Sequence, residues 1–223
     1  MFNINRLQNY KREVHINEAN TGMLQTMCFK TNGLSEADMG IDNIWDEPEI
    51  GWLSILAYDG YLIDPVAQNQ WIPSVEFDNG DLIVSESGSS DLYSISWAGN
   101  INNQWYIGVS LNVPTLTYTK QISLYESNSS HSAELKSLFH ASGVGVNASF
   151  GLISRPTQWL RLGVSFHTPT MLAMSVQTEG DVYSKINGQV YEVLTPASGV
   201  IDMQYAAPLR SSASVALQLK NLG

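Results

Sequence analysis

At 223 residues the chain has room for one large all-β domain or two smaller ones. Only 14% of its residues are charged, against roughly 25% in ordinary soluble domains, and no stretch approaches the ~18 consecutive apolar residues of a transmembrane helix. The net charge of −10 is uneven: residues 11–91 carry 15 of the 21 acids against only Lys11, Arg12 and Lys30, a balance of −12, which argues against nucleic acid or anionic lipid as a partner for that segment. The single cysteine, Cys28, excludes an internal disulfide framework and reads as a small buried apolar residue.

Taken in chain order, Phe2–Leu7 predicts a first, weak strand. Residues 11–91 break the strand pattern. Glu18–Phe29 and Ser35–Ile41 have loose helical character, with Asn32-Gly33 as a stop signal for the first. Ile50–Ile63 is apolar on more than one face and lies between Pro48 and Pro65; it is too short to span a bilayer and predicts a buried or interfacial helix. Phe77–Leu82 predicts a hairpin turn; its Asp78 and Asp81 lack the spacing of a calcium loop.

Five stretches then alternate oily and polar residues with period two. In Leu92–Ile101 the oily set is Tyr93, Ile95, Trp97 and Ile101; in the next run it is Trp105, Ile107, Val109, Leu111 and Val113. Ser142–Ser154 places Val144, Val146, Ala148, Phe150 and Leu152 on one face, and Trp159–Pro169 does the same with Leu160, Leu162, Val164 and Phe166. Leu209–Leu219 contributes Leu209, Ala213, Val215, Leu217 and Leu219. The opposite faces are mostly Gly, Ser and Asn, a poor solvent surface but a good lining for the crowded wet interior of a barrel whose greasy face meets lipid. Each run has at least the 9–11 residues that cross a bilayer at a barrel's tilt, and several carry an aromatic near one end.

The expected fold is therefore all-β: a partial transmembrane antiparallel up-and-down β-barrel with a partly helical outer-loop insertion. Its plan is a strand at 1–10, an acidic extracellular insertion at 11–91, and five barrel strands in 92–223, with extracellular loops at 115–138 and 170–205. The short turns at 102–103 and 155–158 are expected to share the periplasmic end. Six strands do not close a barrel, which needs at least eight, so the chain reads as an internal part of a longer barrel whose export signal lies outside the sequence.

One motif is more specific. Gly143-Val144-Gly145-Val146-Asn147 leads through Gly151 to Arg155-Pro156-Thr157, Trp159, Arg161-Leu162-Gly163 and Thr168-Pro169. This stretch resembles the FadL/TodX family of outer-membrane transport proteins, as do Ala207-Pro208-Leu209-Arg210 and, more loosely, Leu56–Asp64 of its Bacteroidetes branch. The resemblance implies a bacterial outer-membrane barrel of about 14 strands with an N-terminal hatch. Such a barrel takes up long-chain fatty acids or aromatic hydrocarbons through an apolar outer groove and releases them sideways through its wall.

On that reading Trp52, Leu53, Ile55, Leu56, Tyr58 and Tyr61 line the capture groove, or else merely pack the helix onto its own loop. Arg161, His167 and Arg210 face the lumen, there to meet a carboxylate headgroup or to pair with acids of neighbouring strands. His15, His131 and His140 form no metal-spaced set, and no hydrolase, metalloprotease or phosphate-loop motif is present. No cofactor, metal or catalytic residue is expected. The expected partners are a hydrophobic small molecule, outer-membrane lipid and, on residues 11–91, a protein. The alternatives are a FadL-like structural or secretion scaffold and, from another class, a soluble glycan-binding β-sandwich.

Overall fold

The structure is a computed structural model that describes residues 1–17, 22–196 and 200–218. Strands make up 64% of it and helices 11%, so the all-β expectation holds. β1 (Phe2–Asn9) and β2 (Arg12–Ile16) form the first ribbon. The chain then leaves the sheet through α1 (Met23–Thr31), α2 (Glu36–Met39), α3 (Trp52–Asp59) and a small hairpin of β3 (Ile63–Val66) and β4 (Gln70–Pro73). It returns in three 23-residue strands, β5 (Asn79–Ile101), β6 (Trp105–Ser127) and β7 (Ser132–Ser154). The fifth ribbon is β8 (Leu160–His167) with β9 (Thr170–Ile186); the sixth is β10 (Gln189–Leu194), β11 (Ile201–Ala207) and β12 (Arg210–Leu217).

The six ribbons pair antiparallel in chain order and form one open sheet; the described residues close no barrel. The turns at 102–104 and 155–159 lie together, Arg155 N–H donating to the Gln104 carbonyl at 2.7 Å. Asn102 and Asn103 take the left-handed conformation (φ 53° and 56°) in the three-residue turn closed by Ile101↔Trp105, a conformation that asparagine tolerates. Asn187 and Gly188 take it too, in the two-residue hairpin between β9 and β10.

The strands run much farther than the sequence pattern indicates. Residues 115–138 are no long loop: β6 continues to Ser127, turns over four residues and returns as β7. Most of 170–205 likewise belongs to β9, β10 and β11, with 197–199 outside the described residues. Phe77–Leu82 is not a hairpin turn, since Asn79 already pairs with Ser127. A strand of 23 residues is roughly 75 Å long at about 3.3 Å per residue, far more than one bilayer crossing needs.

The cause of the misreading is a reversal of phase. On β6 the odd residues are oily up to Val113; above Pro114 they become Thr115, Thr117, Thr119, Gln121 and Ser123, while the even set turns to Leu116, Tyr118, Ile122 and Leu124. β7 reverses in the same way at Gly143, below which Val144, Val146 and Phe150 are oily and above which Ala141, Phe139, Leu135 and Ala133 are. Each strand thus has an oily outer face along one half and an oily inner face along the other.

Three prolines mark the level of reversal. Pairing of β6 with β7 lapses between Asn112↔Asn147 and Thr115↔Val144, where Pro114 has no N–H to give. Pro169 and Pro208 interrupt the fifth and sixth ribbons side by side, between Ala207↔Thr170 and Arg210↔His167. Against β7 the fifth ribbon carries one extra residue there, a β-bulge between Ser149↔His167 and Val146↔Met171.

The insertion sits on the inner face at the end away from the short turns. Leu24, Met27, Ile55, Leu56 and Leu62 form its sealed core, which continues into Ala133, Val182 and Ile186 of the sheet. Polar contacts fasten it: Met23 N–H donates to buried Glu126 (3.1 Å), and Ser184 Oγ donates to the Gly60 carbonyl (2.6 Å). α2 begins with a reciprocal cap between Ser35 and Asp38, whose hydrogen bonds hold the Asp38 carboxyl below its usual range. Gly180 makes room for α3: a Cβ there would stand 2.5 Å from the Trp52 ring. Gly180→Ala is expected to push Trp52 off β9 at a cost of about 1–3 kcal/mol for overpacking, read as a lower melting temperature and a shifted tryptophan emission.

Cys28 lies in this core at 5% exposure, and burial pushes its thiol up to about 11, against a usual value of about 8.5. The unfolded chain therefore ionises first as the pH rises, so the thiol's contribution to stability is intact below about pH 8.5 and declines from there toward pH 11. Thiol labelling of the folded protein is expected to be slow at pH 8 and to accelerate between pH 9 and 11; fast labelling at pH 8 contradicts the burial.

Candidate functional site

The inner face is concave. One cavity of about 530 Å³ is lined from all six ribbons, from Leu7 and Tyr10 on the first to Tyr205 and Ala207 on the last. Its upper wall is apolar, made by Leu92, Pro114, Leu116 and Leu172 together with the two tyrosines. Its floor is a belt of polar side chains that satisfy one another. Asn112 Nδ2 donates to Asn147 Oδ1 and to Ser149 Oγ, both at 2.9 Å. Asn147 Nδ2 donates to Thr170 Oγ1 (2.9 Å), and Ser149 Oγ lies 2.8 Å from His167 Nδ1. Below the belt a second cavity of about 580 Å³ is floored by Gly108, Gly151, Gly163, Ser165, Ser212 and Ser214. The small residues leave the trough open where larger ones would fill it.

His167, Arg161 and Arg210 all stand on the inner face, as the alternation predicts. Arg210 is registered directly opposite His167, and the two share a small recess beside the main cavity. Arg161 reaches Gln218 at 3.4 Å. Among the described residues no carboxylate lies on the inner face below the proline level, so neither arginine has an acidic partner there. The cavity is thus apolar above and polar with positive charge beneath. Ser149 and His167 sit within the belt with no carboxylate behind the imidazole among the described residues, and the Ala148 N–H beside them donates to Thr168 Oγ1 at 2.9 Å.

The six insertion residues differ in how far they are buried. Ile55 and Leu56 are 1% and 0% exposed and unreachable by a ligand. Trp52, Leu53 and Tyr58 pack against the same core, Tyr58 edge-on to Trp71 at 5.7 Å. Tyr61 is exposed and stacks on Tyr191 at 4.3 Å. None of the six lines either inner cavity; they hold the insertion together and to the sheet. The residues missed from the sequence, Leu116, Leu172 and Tyr205, belong to stretches whose oily phase is reversed.

The outer face carries Trp97, Val109, Val146, Phe150, Val164 and Val215 in the open. Val109 is 41% and Val146 47% exposed, and among the described residues no second sheet covers them; a β-sandwich would bury both. Arg6 and Asp91 pair at 2.9 Å on this face, just where oily residues give way to serines and threonines. No family model, no curated protein and no solved structure matches this chain.

Proposed function

We propose that the sheet is part of the wall of an outer-membrane β-barrel that passes hydrophobic compounds, such as long-chain fatty acids or aromatic hydrocarbons, through its interior. The observation that carries this reading is the phase reversal. The outer face is apolar over about ten residues of each strand, one bilayer crossing, and polar beyond, while the inner face turns apolar where the outer one turns polar. In water that arrangement exposes a large apolar surface without gain; in a membrane it is satisfied at every level. The unpaired edges of the first and sixth ribbons then meet further strands, because open edges are not tolerated in lipid. The FadL/TodX-like turn motif points the same way.

The capture site is the inner cavity and not the α3 residues. A greasy molecule reaching it meets Leu92, Leu116, Leu172 and Tyr205 above the polar belt and leaves water at a gain of roughly 25 cal/mol per Å² buried. Uptake of a radiolabelled long-chain fatty acid and of an aromatic hydrocarbon by cells displaying the protein tests this. Leu116→Trp with Leu172→Trp is expected to lower uptake of both by about tenfold or more, and Thr117→Trp on the outer polar face to leave it unchanged; equal uptake by all three ends the reading.

A scaffold role is favoured by one separate observation. The insertion exposes Phe29 (75%) and Ile72 on a segment whose only base between residues 22 and 78 is Lys30, against ten acids. A stable protein partner lost on Phe29→Asp, with uptake unaffected, identifies that role.

A further inference from the structure

The outer face is hollowed at the proline level. A depression of about 700 Å³ opens there, lined by Val113, Val144, Val146, Met171, Ala173 and Ala206. The register puts all six side chains on the outer face. Its origin is local. Pro114 interrupts the pairing of β6 with β7 beside Val144 and Val146, and the bulge at Thr168-Pro169 shifts β9 by one residue against β7. Ala173 and Ala206 then supply only methyl groups where Phe150 and Phe166 stand lower down.

The chemistry changes at its upper rim. Gln204 lies at the edge, and the next outer residues up are Thr115, Ser142 and Ser175, the last donating to Asp202 Oδ1 at 2.6 Å. An occupant must therefore be apolar along its length and polar at one end, with that end at the level where the outer face ceases to be oily. We propose that this hollow is a resident-lipid site that takes one acyl chain of a bilayer lipid, its headgroup meeting Asp202, Gln204 and Ser175. The proposal rests on the membrane reading above. The hollow is continuous with the oily band on both sides, so a bilayer chain fills it without leaving lipid. A carboxylate and an amide at the rim suit a headgroup bearing a donor, an ammonium or a hydroxyl. The site differs from the inner cavity in its face and in its occupant, which stays.

The test uses the protein extracted from membranes in a mild detergent, with bound lipid identified by native mass spectrometry. About one lipid per chain is expected to survive detergent exchange in the unaltered protein and in Val109→Phe, which adds bulk elsewhere on the same face. The double variant Ala173→Phe, Ala206→Phe fills the hollow and is expected to retain at least fivefold less. Equal retention by the double variant overturns the site, and so does recovery of an uptake ligand there in place of lipid. A spin label on Val109→Cys, with buried Cys28 left unlabelled, reads the premise separately. If the label is protected by lipid while the hollow holds none, the site fails and the membrane reading stands. If the label is in water, the membrane reading fails first.

Discussion

The double variant Val109→Arg, Val146→Arg is expected to prevent stable membrane insertion, while Thr117→Arg leaves it intact. All three positions lie on the outer face, two below the proline level and one above it. Both valines are already exposed at 41% and 47%, so in a soluble protein an arginine there costs next to nothing and improves solubility. In a bilayer the same change costs about 2–4 kcal/mol at the midplane and little near the interface. Two such substitutions approach the whole stability of an ordinary domain, about 5–15 kcal/mol. Membrane fractions washed with alkaline carbonate provide the measurement. Retention of the double valine variant at the level of Thr117→Arg and the unaltered protein sinks the barrel reading, because only lipid makes the two halves of one strand respond differently.

That division along the strand also explains what the sequence makes legible. The oily-out runs at 92–101, 104–113 and 142–154 are the lower halves of β5, β6 and β7, and there the alternation alone assigns strand, face and short-turn end correctly. The upper halves keep the period but exchange the faces, and their inner side packs on the insertion through Ala133, Val182 and Ile186. A pattern search tuned to one phase reads Thr115–Lys120 as polar loop, although Thr-Leu-Thr-Tyr-Thr alternates as strictly as the run before it. Pro114, Pro169 and Pro208 reinforce the error, because proline ordinarily ends a strand; here each ends a stretch of pairing while the ribbon continues.

The site was legible only in part, for a related reason. His167 and Arg210 fall on the inner face by counting in twos, but that they stand opposite each other depends on the register between β8 and β12, which no local pattern fixes. Apolar residues in α3 gave no such guidance. Trp52, Ile55, Leu56 and Tyr58 suit a ligand groove and a packed core equally well, and the choice depends on Ala133, Val182 and Ile186, which approach from strands more than 70 residues away in sequence. Gly180 was the available clue: in a strand interior a glycine marks close approach by another group, and that group is the Trp52 ring.

Leu56→Ala separates those two meanings of α3. Leu56 is fully buried in a core that α1, α3 and the β3–β4 hairpin share with the sheet, and truncating such a leucine costs about 2–5 kcal/mol. The insertion is small and can open without disturbing the long strands, so the loss is expected to appear as local opening. Amide exchange over Met23–Thr31 and Trp52–Asp59 should accelerate by a factor of about 30 or more, since each 1.4 kcal/mol is tenfold, while β6 and β7 near Asn112 and Asn147 keep their protection. Cys28 offers an independent readout, because opening exposes its thiol and brings fast labelling down to pH 8. Tyr61→Ala removes an exposed stacking partner of Tyr191 and should cost only about 0.5–1.5 kcal/mol. A groove-lining Leu56 gives the opposite result: unchanged exchange and thiol protection, with a weaker ligand. That outcome would return capture to α3 and take it from the inner cavity, because a side chain whose loss leaves the core closed cannot be the one holding it.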